Sequence, residues 1–393
     1  MIRMKLLPFE YAVRNLGRSP LRMGSSVLGC ALVVGLALAA GGFVRGMSQS
    51  LSVHHTAENV ILLGAGSEES VERSQIGRDV PTLLVASVPG LRRRMGVDYV
   101  SPEAHMALVV KRSAAAEDEL TAVFRGVTDA AFLVHPEVRI VEGRAPRAGN
   151  DEIMVGRFAA TRLGIDEAAL AVGERLWFDN RPWEIVGRFA APKTVMDAEI
   201  WTPLTDLQIA TRRDTLSCVV ATLDSAEFAD VDVWCAQRLD LELVAIRESD
   251  YYSALLAFYG PLRAMIWATA LLIGLGGVFG GLNTMHAAFA NRVRELGALR
   301  TLGFSRRAIA ISFLQESALA AAAGGLLAAM VGLALLDGIA VRFSMGAFAI
   351  VIDERVMLTG LAAGAAISVV GVTPALWQCL RLPIAEALRR DSV

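Results

Sequence analysis

The stretch Asn291–Arg307, NRVRELGALRTLGFSRR, joins two long apolar runs and is strongly basic. On a helix, its apolar residues recur every three positions on one face, and charged residues fill the remainder. The apolar positions are Val293, Leu296, Leu299 and Leu302, and the charged ones are Arg292, Arg294, Glu295, Arg300, Arg306 and Arg307. Gly303 suits a helix end, and Ser305 suits the cap of the next helix. The pattern predicts a short helix that lies along a surface between two membrane helices.

The composition is that of a membrane protein, with 54% hydrophobic residues and a mean hydropathy of +0.47. Four runs are nearly free of charge over the roughly 20 residues that a helix needs to cross about 30 Å of hydrocarbon. The runs are Met23–Val44, Ala264–Ala290, Ala308–Leu336 and Val356–Leu380. We therefore expect four transmembrane helices.

Basic residues set the predicted orientation, because cytoplasmic flanks carry the excess of Arg and Lys. They concentrate before the first run, between the second and third, and after the fourth. Both termini are thus predicted to be cytoplasmic. The predicted division is a cytoplasmic amphipathic helix over 1–22, membrane helices over 23–46, 259–290, 308–336 and 356–380, an outer domain over 47–258, a cytoplasmic segment over 291–307, an outer loop over 337–355 and a cytoplasmic tail over 381–393.

The first run has a second interpretation, a cleaved secretory signal, because Ala37-Leu38-Ala39 resembles a cleavage site. The preceding segment Phe9–Arg22 favours a retained anchor. It is predicted to be an interfacial helix with Phe9, Val13 and Leu16 on one side. Ser19 and Pro20 then suit the start of the membrane helix.

The outer segment is rich in short β-type runs bounded by Gly, Pro, Asn or Asp. The predicted strands are Asn59–Leu63, Ala107–Lys111, Ala122–Arg125, Glu152–Val155, Arg175–Phe178, Trp183–Val186 and Cys218–Thr222. The predicted helices are Pro81–Met95, Phe158–Leu163, Thr205–Arg212 and Ala226–Asp240. The fold class is therefore an α-helical membrane protein with an α+β domain inserted between the first and second transmembrane helices.

Few residues outside these elements indicate chemistry. His54, His55, His105 and His135 lack metal-ligand spacing, so they are predicted to be surface residues and no metal site is expected. No nucleophile motif occurs, so the chain is predicted not to be an enzyme. Cys218 and Cys235 lie in the outer segment, where a disulfide between them or two free thiols both stay open.

Small residues are spaced along the second apolar run at small-xxx-small intervals, which permit close helix approach in lipid. Gly276, Gly277, Gly280 and Gly281 fit either packing within one subunit or a dimer interface. Glu316, in the third run, fits either a side chain that extends to the cytoplasmic interface or caps a helix near it, or a group with a proton-relay or substrate role.

In the order of these elements, the chain resembles the permease subunits of the MacB/FtsX-like ABC transporter family over nearly its whole length. The segment Arg294–Arg307, RELGALRTLGFSRR, is similar to the family signature Arg-Glu-Ile-Gly-x-x-Arg-x-x-Gly. The start Phe9–Arg22, the end Leu382–Arg389, and short motifs in the outer segment are similar as well. Those motifs are Val141–Arg144, Asp151–Gly156, Val172-Gly173 and Glu184–Gly187.

The resemblance implies a permease of the bacterial inner membrane that dimerises, with a second copy or a paralogue, on a cytoplasmic ATPase dimer. It implies ATPase-coupling residues in the cytoplasmic segment: Arg294, Glu295, Leu296, Gly297, Leu299, Arg300 and Gly303. No phosphate-binding loop occurs, so no cofactor is expected here and ATP and Mg²⁺ are expected on a separate ATPase chain.

The resemblance also implies mechanotransmission, in which ATP-driven movement of the membrane helices does work on the outer domain. Export or efflux with a periplasmic adaptor of the membrane-fusion type is the first functional prediction. Extraction of a lipid or lipoprotein from the inner membrane is an alternative. A third is a non-transporting, FtsX-like regulator of a periplasmic cell-wall hydrolase.

Overall fold

A computed structural model of the chain describes residues 9–18, 20–51, 58–290, 293–343 and 346–381. Contacts divide the chain into two units. One, the helical unit, comprises Met1–Arg45, Pro261–Ile339 and Ile350–Val393, and the other, the outer unit, comprises Gly46–Gly260 and Ala340–Ala349. The predicted N-cap Ser19 lies outside the described residues.

The helices are α1 (Phe9–Gly17), α2 (Pro20–Ser50), α3 (Val80–Ser87), α4 (Ala131–Val134), α5 (Ala159–Leu163), α6 (Leu204–Thr211), α7 (Phe228–Gln237), α8 (Glu248–Phe258), α9 (Gly260–Ala290), α10 (Val293–Thr301), α11 (Arg306–Leu335) and α12 (Glu354–Arg381). The strands are β1 (Asn59–Gly64), β2 (Arg93–Arg94), β3 (Val97–Asp98), β4 (Val100–Val110), β5 (Leu120–Val127), β6 (Arg139–Gly143), β7 (Glu152–Gly156), β8 (Arg175–Phe178), β9 (Arg181–Ala190), β10 (Ile200–Pro203), β11 (Cys218–Thr222), β12 (Leu243–Arg247), β13 (Ala340–Phe343) and β14 (Gly346–Ala349).

Within the described residues, four helices are long and apolar enough to cross a membrane. These spans are Met23–Ser50, Gly260–Leu282, Arg306–Leu335 and Glu354–Pro374. Glycines let α11 and α12 approach α2 closely. A Cβ at Gly324 would lie 2.6 Å from the Val27 carbonyl oxygen, and one at Gly364 would lie 2.6 Å from Val34 Cγ2. Close approach of this kind is how small residues hold helices together in lipid.

Helix α1 turns two of its apolar side chains outward, whereas Leu16, predicted on the same side, is half-buried. Phe9 and Val13 are exposed, whereas Ala12 and Asn15 are buried. The exposed apolar side is what an interfacial helix presents to lipid.

The outer unit is built on a ten-stranded mixed sheet in the order β12-β1-β11-β4-β5-β10-β7-β9-β6, with β8 paired to β9. Strand β4 is long enough to pair with β11 along its first half and with β5 along its second. Alternate residues of these strands point to opposite faces. One face forms the main hydrophobic core together with α3, α5, α6 and α7.

The sequence analysis missed several elements. Strands β6, β10 and β12 were not predicted, nor was the hairpin β13–β14 inside the predicted loop 337–355. These strands have only four or five residues, which is too short for an alternating pattern to stand out. The predicted helix Pro81–Met95 ends early, at Ser87. Val88 precedes Pro89 and is extended, because a proline disfavours helical geometry in the residue before it.

Candidate functional site

Helix α10 is held in place by the apolar face that the sequence predicted. Val293 and Leu296 are buried against Ile309, Phe313 and Val372 of α11 and α12. Leu299 packs against the same cluster, and Gly297 is buried. The face of α10 that carries its apolar residues is therefore turned into the helical unit.

The opposite side of α10 and its C-terminal turn are exposed. Glu295 lies on this side and pairs with Arg18, with 3.2 Å between the Arg18 Nη1 and Glu295 Oε1 atoms. Leu302 is 69% exposed, although the periodicity placed it on the apolar face. The helix has ended at Thr301, and Gly303 has a positive φ of 92°, so Leu302 no longer follows the helical repeat. Ser305 caps α11 by accepting a hydrogen bond from the Ala308 N–H.

A second candidate site lies on the face of the outer sheet away from the main core. Cys218 of β11 is the cross-strand partner of Glu103 in β4, and His105 is the partner of Arg125 in β5. Because Glu103 and His105 are two residues apart, strand alternation puts all four side chains on one face. All four are buried. We call them, together with Glu199, the polar cluster.

Arg125 is the centre of the polar cluster. It is 3% exposed and donates to both oxygens of Glu199, at 2.7 Å from Nε to Oε2 and 2.8 Å from Nη2 to Oε1. Its Nη1 also donates to Glu103 Oε2 at 2.8 Å. The indole of Trp201 donates to Glu199 Oε2 at 3.0 Å. Each charged group is thus paired, as burial of charge requires.

Two histidines complete the hydrogen bonding of Glu103. His105 Nε2 lies 3.1 Å from Glu103 Oε2, and His135 Nε2 lies 2.8 Å from Oε1. The prediction that these histidines lie on the surface is wrong for both. His54 and His55, which shared that prediction, lie outside the described residues.

The cluster shifts the pKa values of its members. Burial alone would raise the pKa of Glu103, but the charges of His135 and Arg125 hold it well below its ordinary value. Burial and then the charge of Arg125 lower the pKa of His105. Burial also opposes charge on His135, yet the charge and hydrogen bond of Glu103 raise its pKa. Burial raises the pKa of the Cys218 thiol well above its ordinary value.

The polar cluster lines a cavity of about 830 Å³ that lies entirely within the outer unit. Helix α8 covers it with Glu248, Tyr251 and Tyr252, and the hairpin β13–β14 contributes Phe343 and Phe348. Pockets of this size, mostly apolar with a few placed polar groups, are typical ligand sites.

Two family models match the chain. A MacB-like periplasmic core domain matches residues 24–232, more than half of the chain, and an FtsX-like permease C-terminal domain matches residues 267–384. The chain belongs to the MacB/FtsX-like family of ABC transporter permeases.

Curated relatives of this permease carry the same description. It is 23% identical over 400 residues to YknZ, an uncharacterized ABC transporter permease of Bacillus subtilis (strain 168), with 95% of each chain covered. It is also 23% identical over 366 residues to YvrN, an uncharacterized ABC transporter permease of the same organism, covering 84% of this chain and 85% of that one. A permease of this family implies a partner ATPase.

Two solved structures resemble the permease in part. The periplasmic region of MacB from Actinobacillus actinomycetemcomitans is 9% identical and has a TM-score of 0.38, covering 51% of this chain and 93% of that one. The extracellular domain of YknZ from Gram-positive bacteria is 15% identical and has a TM-score of 0.36, covering 48% and 99%.

The glycines predicted for helix packing or dimerisation divide into two groups in this permease. A Cβ at Gly277 would lie 2.5 Å from Val33 Cγ2 of α2, so Gly277 packs within the chain. A Cβ at Gly276, Gly280 or Gly281 would meet no atom within 4 Å among the described residues. Glu316 is buried inside the helical unit.

The two outer cysteines of this permease are free. Cys218 lies on the cavity face of the sheet with Ile61 and Val220, and Cys235 lies in the main core on the other face. The sheet separates the two thiols. The disulfide that the sequence left open is therefore not formed.

Proposed function

We propose that this permease is the membrane subunit of an ABC exporter, in which a separate cytoplasmic ATPase drives movement of the outer unit. The supporting observation is the seating of α10. Its inward side chains pack on α11 and α12, so a push on its outward side would reach both long helices as one rigid displacement. ATP and Mg²⁺ would be bound by the ATPase, both termini would be cytoplasmic, and a periplasmic adaptor would accompany the outer unit.

The proposed coupling residues fall into two roles. Leu296, Gly297 and Leu299 face the helical unit and would transmit movement. Glu295, and Leu302 just after the end of α10, are exposed and would touch the ATPase. The remaining proposed coupling residues are Arg294, Arg300 and Gly303.

Leu302 gives the sharpest test, because its exposed side chain is not packed in the fold. Tagged permease is purified in mild detergent, and the bound ATPase is quantified by mass spectrometry. We expect Leu302→Asp to reduce ATPase recovery by about tenfold, the factor that ~1.4 kcal/mol at an interface produces. Leu239→Asp is the matched control, since Leu239 is an 81% exposed leucine of the outer unit.

The outcomes of this purification are distinct. Equal ATPase recovery with Leu302→Asp and Leu239→Asp would show that Leu302 does not contact the ATPase. No ATPase with the unaltered chain would contradict the whole proposal. Recovery of an adaptor supports export, whereas recovery of a cell-wall hydrolase with the ATPase would replace export by regulation, and a bound lipoprotein would replace it by extraction.

A further inference from the structure

Three side chains of the polar cluster carry ligand atoms that suit a transition-metal ion. A Glu103 oxygen, a His105 ring nitrogen and the Cys218 sulfur all lie within 4.8 Å of one another, and all three residues are buried. We propose that Glu103, His105 and Cys218 bind a Zn²⁺-class ion in the outer unit. Metal binding here needs neither the ATPase nor transport, so it stands or falls separately from the proposed function.

The strand register prearranges the three ligands. Glu103 and Cys218 are direct cross-strand partners, and His105 follows Glu103 by two residues on the same strand. Zinc bonds of about 2.0–2.3 Å place neighbouring ligand atoms roughly 3.3–3.8 Å apart in a tetrahedral site. His105 Nε2 and Glu103 Oε2 are already 3.1 Å apart. Side-chain rotations that move the ligand atoms by about 1 Å would bring all three within bonding distance of one ion. The ion would replace the hydrogen bond between His105 and Glu103.

The surroundings of Glu103 match those of a metal-binding carboxylate. Arg125 and His135 hold its two oxygens at 2.8 Å each. Hydrogen bonds of this kind orient a ligand before the metal arrives and are typical of protein metal sites. Glu199 in turn holds Arg125 through two hydrogen bonds, which offsets the guanidinium charge next to the ion.

The local charge favours a divalent cation. Glu103, Glu199 and Glu248 are buried carboxylates that line the same cavity, and Arg125 is the one buried guanidinium among the described residues that line it. Three negative charges against Arg125 and His135, whose charge lowers the pKa of Glu103, leave an excess of one, and the Cys218 thiolate that forms on metal binding brings it to two. A divalent ion would offset this excess, and the Cys218 thiol would release its proton to solvent as it binds.

The cavity supplies a route of entry and a fourth ligand. Its volume of about 830 Å³ leaves room beside the three side chains for a water molecule. Three protein ligands with one open position are the pattern of zinc sites that act on a bound molecule rather than only hold the fold. A thiolate with an imidazole selects zinc or a similar borderline ion over Ca²⁺ and Mg²⁺, which prefer oxygen ligands alone.

The test uses the full-length permease in detergent, stripped with a chelator and then titrated with Co²⁺ or Zn²⁺. We expect close to one bound ion per chain and, with Co²⁺, a thiolate-to-metal charge-transfer absorption in the near ultraviolet. Cys218→Ser should abolish this absorption and lower the bound metal at least tenfold. Cys235→Ser, the matched control, removes a buried thiol from the opposite face of the sheet and should change neither readout.

Measurement of Co²⁺ binding to the unaltered permease tests the proposal even where a variant does not fold. Absence of the thiolate absorption from Co²⁺-loaded permease would overturn the site. Bound metal and absorption that are equal in Cys218→Ser and the unaltered chain would overturn it as well. His105→Gln supplies an independent variant, because it keeps the thiol and should still lower the affinity for Zn²⁺.

Discussion

Arg125 shows how the outer unit keeps charge inside its fold. Its guanidinium has almost no contact with solvent and is held by two carboxylates, Glu103 of β4 and Glu199, which directly precedes β10. Removing one partner of such a pair leaves buried charge uncompensated and costs more than the pair itself contributes. The stability of this face therefore depends on the pairing of Arg125 with Glu199.

The first residue-scale prediction concerns Glu199→Gln. We expect the free energy of unfolding to fall by about 3 kcal/mol at neutral pH, the lower end for breaking a buried pair, since Arg125 keeps Glu103. Unfolding of the full chain in detergent can be followed by tryptophan fluorescence, to which the buried Trp183 and Trp201 contribute. Glu174→Gln, at an exposed carboxylate, should leave the unfolding free energy unchanged.

The pH dependence of this difference has a definite sign. Burial opposes ionisation of Glu199, but the charge and hydrogen bonds of Arg125 lower its pKa below the usual value. A lowered pKa contributes stability above the unfolded value of about 4.3, and the contribution is lost as pH falls through the folded pKa. The difference in the free energy of unfolding between wild type and Glu199→Gln should thus persist from neutral pH to about pH 5 and become smaller below about pH 4. A difference that does not change over this range would contradict the assignment.

The polar cluster could not be predicted from the sequence, although each residue was visible. Glu103 meets Cys218 across 115 positions only because β4 pairs with β11 in one register, and register is not readable from a single strand. The one available signal was the alternation Glu103-Ala104-His105 inside an otherwise apolar strand. Polar residues at a period of two indicate a polar face, which ordinarily faces water, so the alternation grouped Glu103 with His105 but did not indicate that both are buried.

At the scale of elements, periodicity predicted which segment is helical and where its apolar face lies, but not what that face contacts. The i, i+3 repeat in Asn291–Arg307 correctly gave a helix and its apolar face at Val293, Leu296 and Leu299. It did not show that this face would pack on the chain's own α11 and α12 and so be unavailable to a partner. Strands β8 and β11 were predicted with their observed bounds, because residues that favour turns, or a clear end to the run of β-branched and aromatic residues, flank both strands.

Two glycines of the helical unit provide a paired prediction. Gly324→Leu should push α11 from α2, since its Cβ would lie 2.6 Å from a backbone oxygen that cannot rotate away. Overpacking of this kind costs about 1–3 kcal/mol and should lower the thermal midpoint of the full chain in detergent by several degrees. Gly276→Leu makes the same change in α9, where the added Cβ meets no atom within 4 Å, and should leave the midpoint unchanged.

The same pair tests the proposed dimer face. Chemical crosslinking in membranes should show less dimer for Gly276→Leu, because a leucine side chain would block close approach by a second copy. Gly324→Leu should crosslink in proportion to the amount that folds. An undiminished dimer in Gly276→Leu would take this glycine out of the subunit interface and leave it facing lipid.

For the whole molecule, the decisive property is which side of the membrane each unit occupies. Four candidate spans and a separate outer unit fit the family, and basic residues in the 291–307 segment predict a cytoplasmic position for that segment. Charge bias is a statistical preference of membrane insertion, and it predicts the side of each segment without measuring it. Orientation therefore has to be measured.

Single cysteines at two exposed positions make that measurement. Ser113 lies between β4 and β5, and Leu302 follows α10; both side chains are exposed. In spheroplasts or protoplasts, a membrane-impermeant maleimide should label Ser113→Cys before lysis and Leu302→Cys only after it, since the reagent cannot reach the cytoplasm. The unaltered chain, with its four native cysteines, gives the background before and after lysis; Cys218 and Cys235 are buried, and Cys30 is partly buried. Labelling of Leu302→Cys in intact cells, with Ser113→Cys protected, would reverse the orientation and place α10 where no ATPase could reach it.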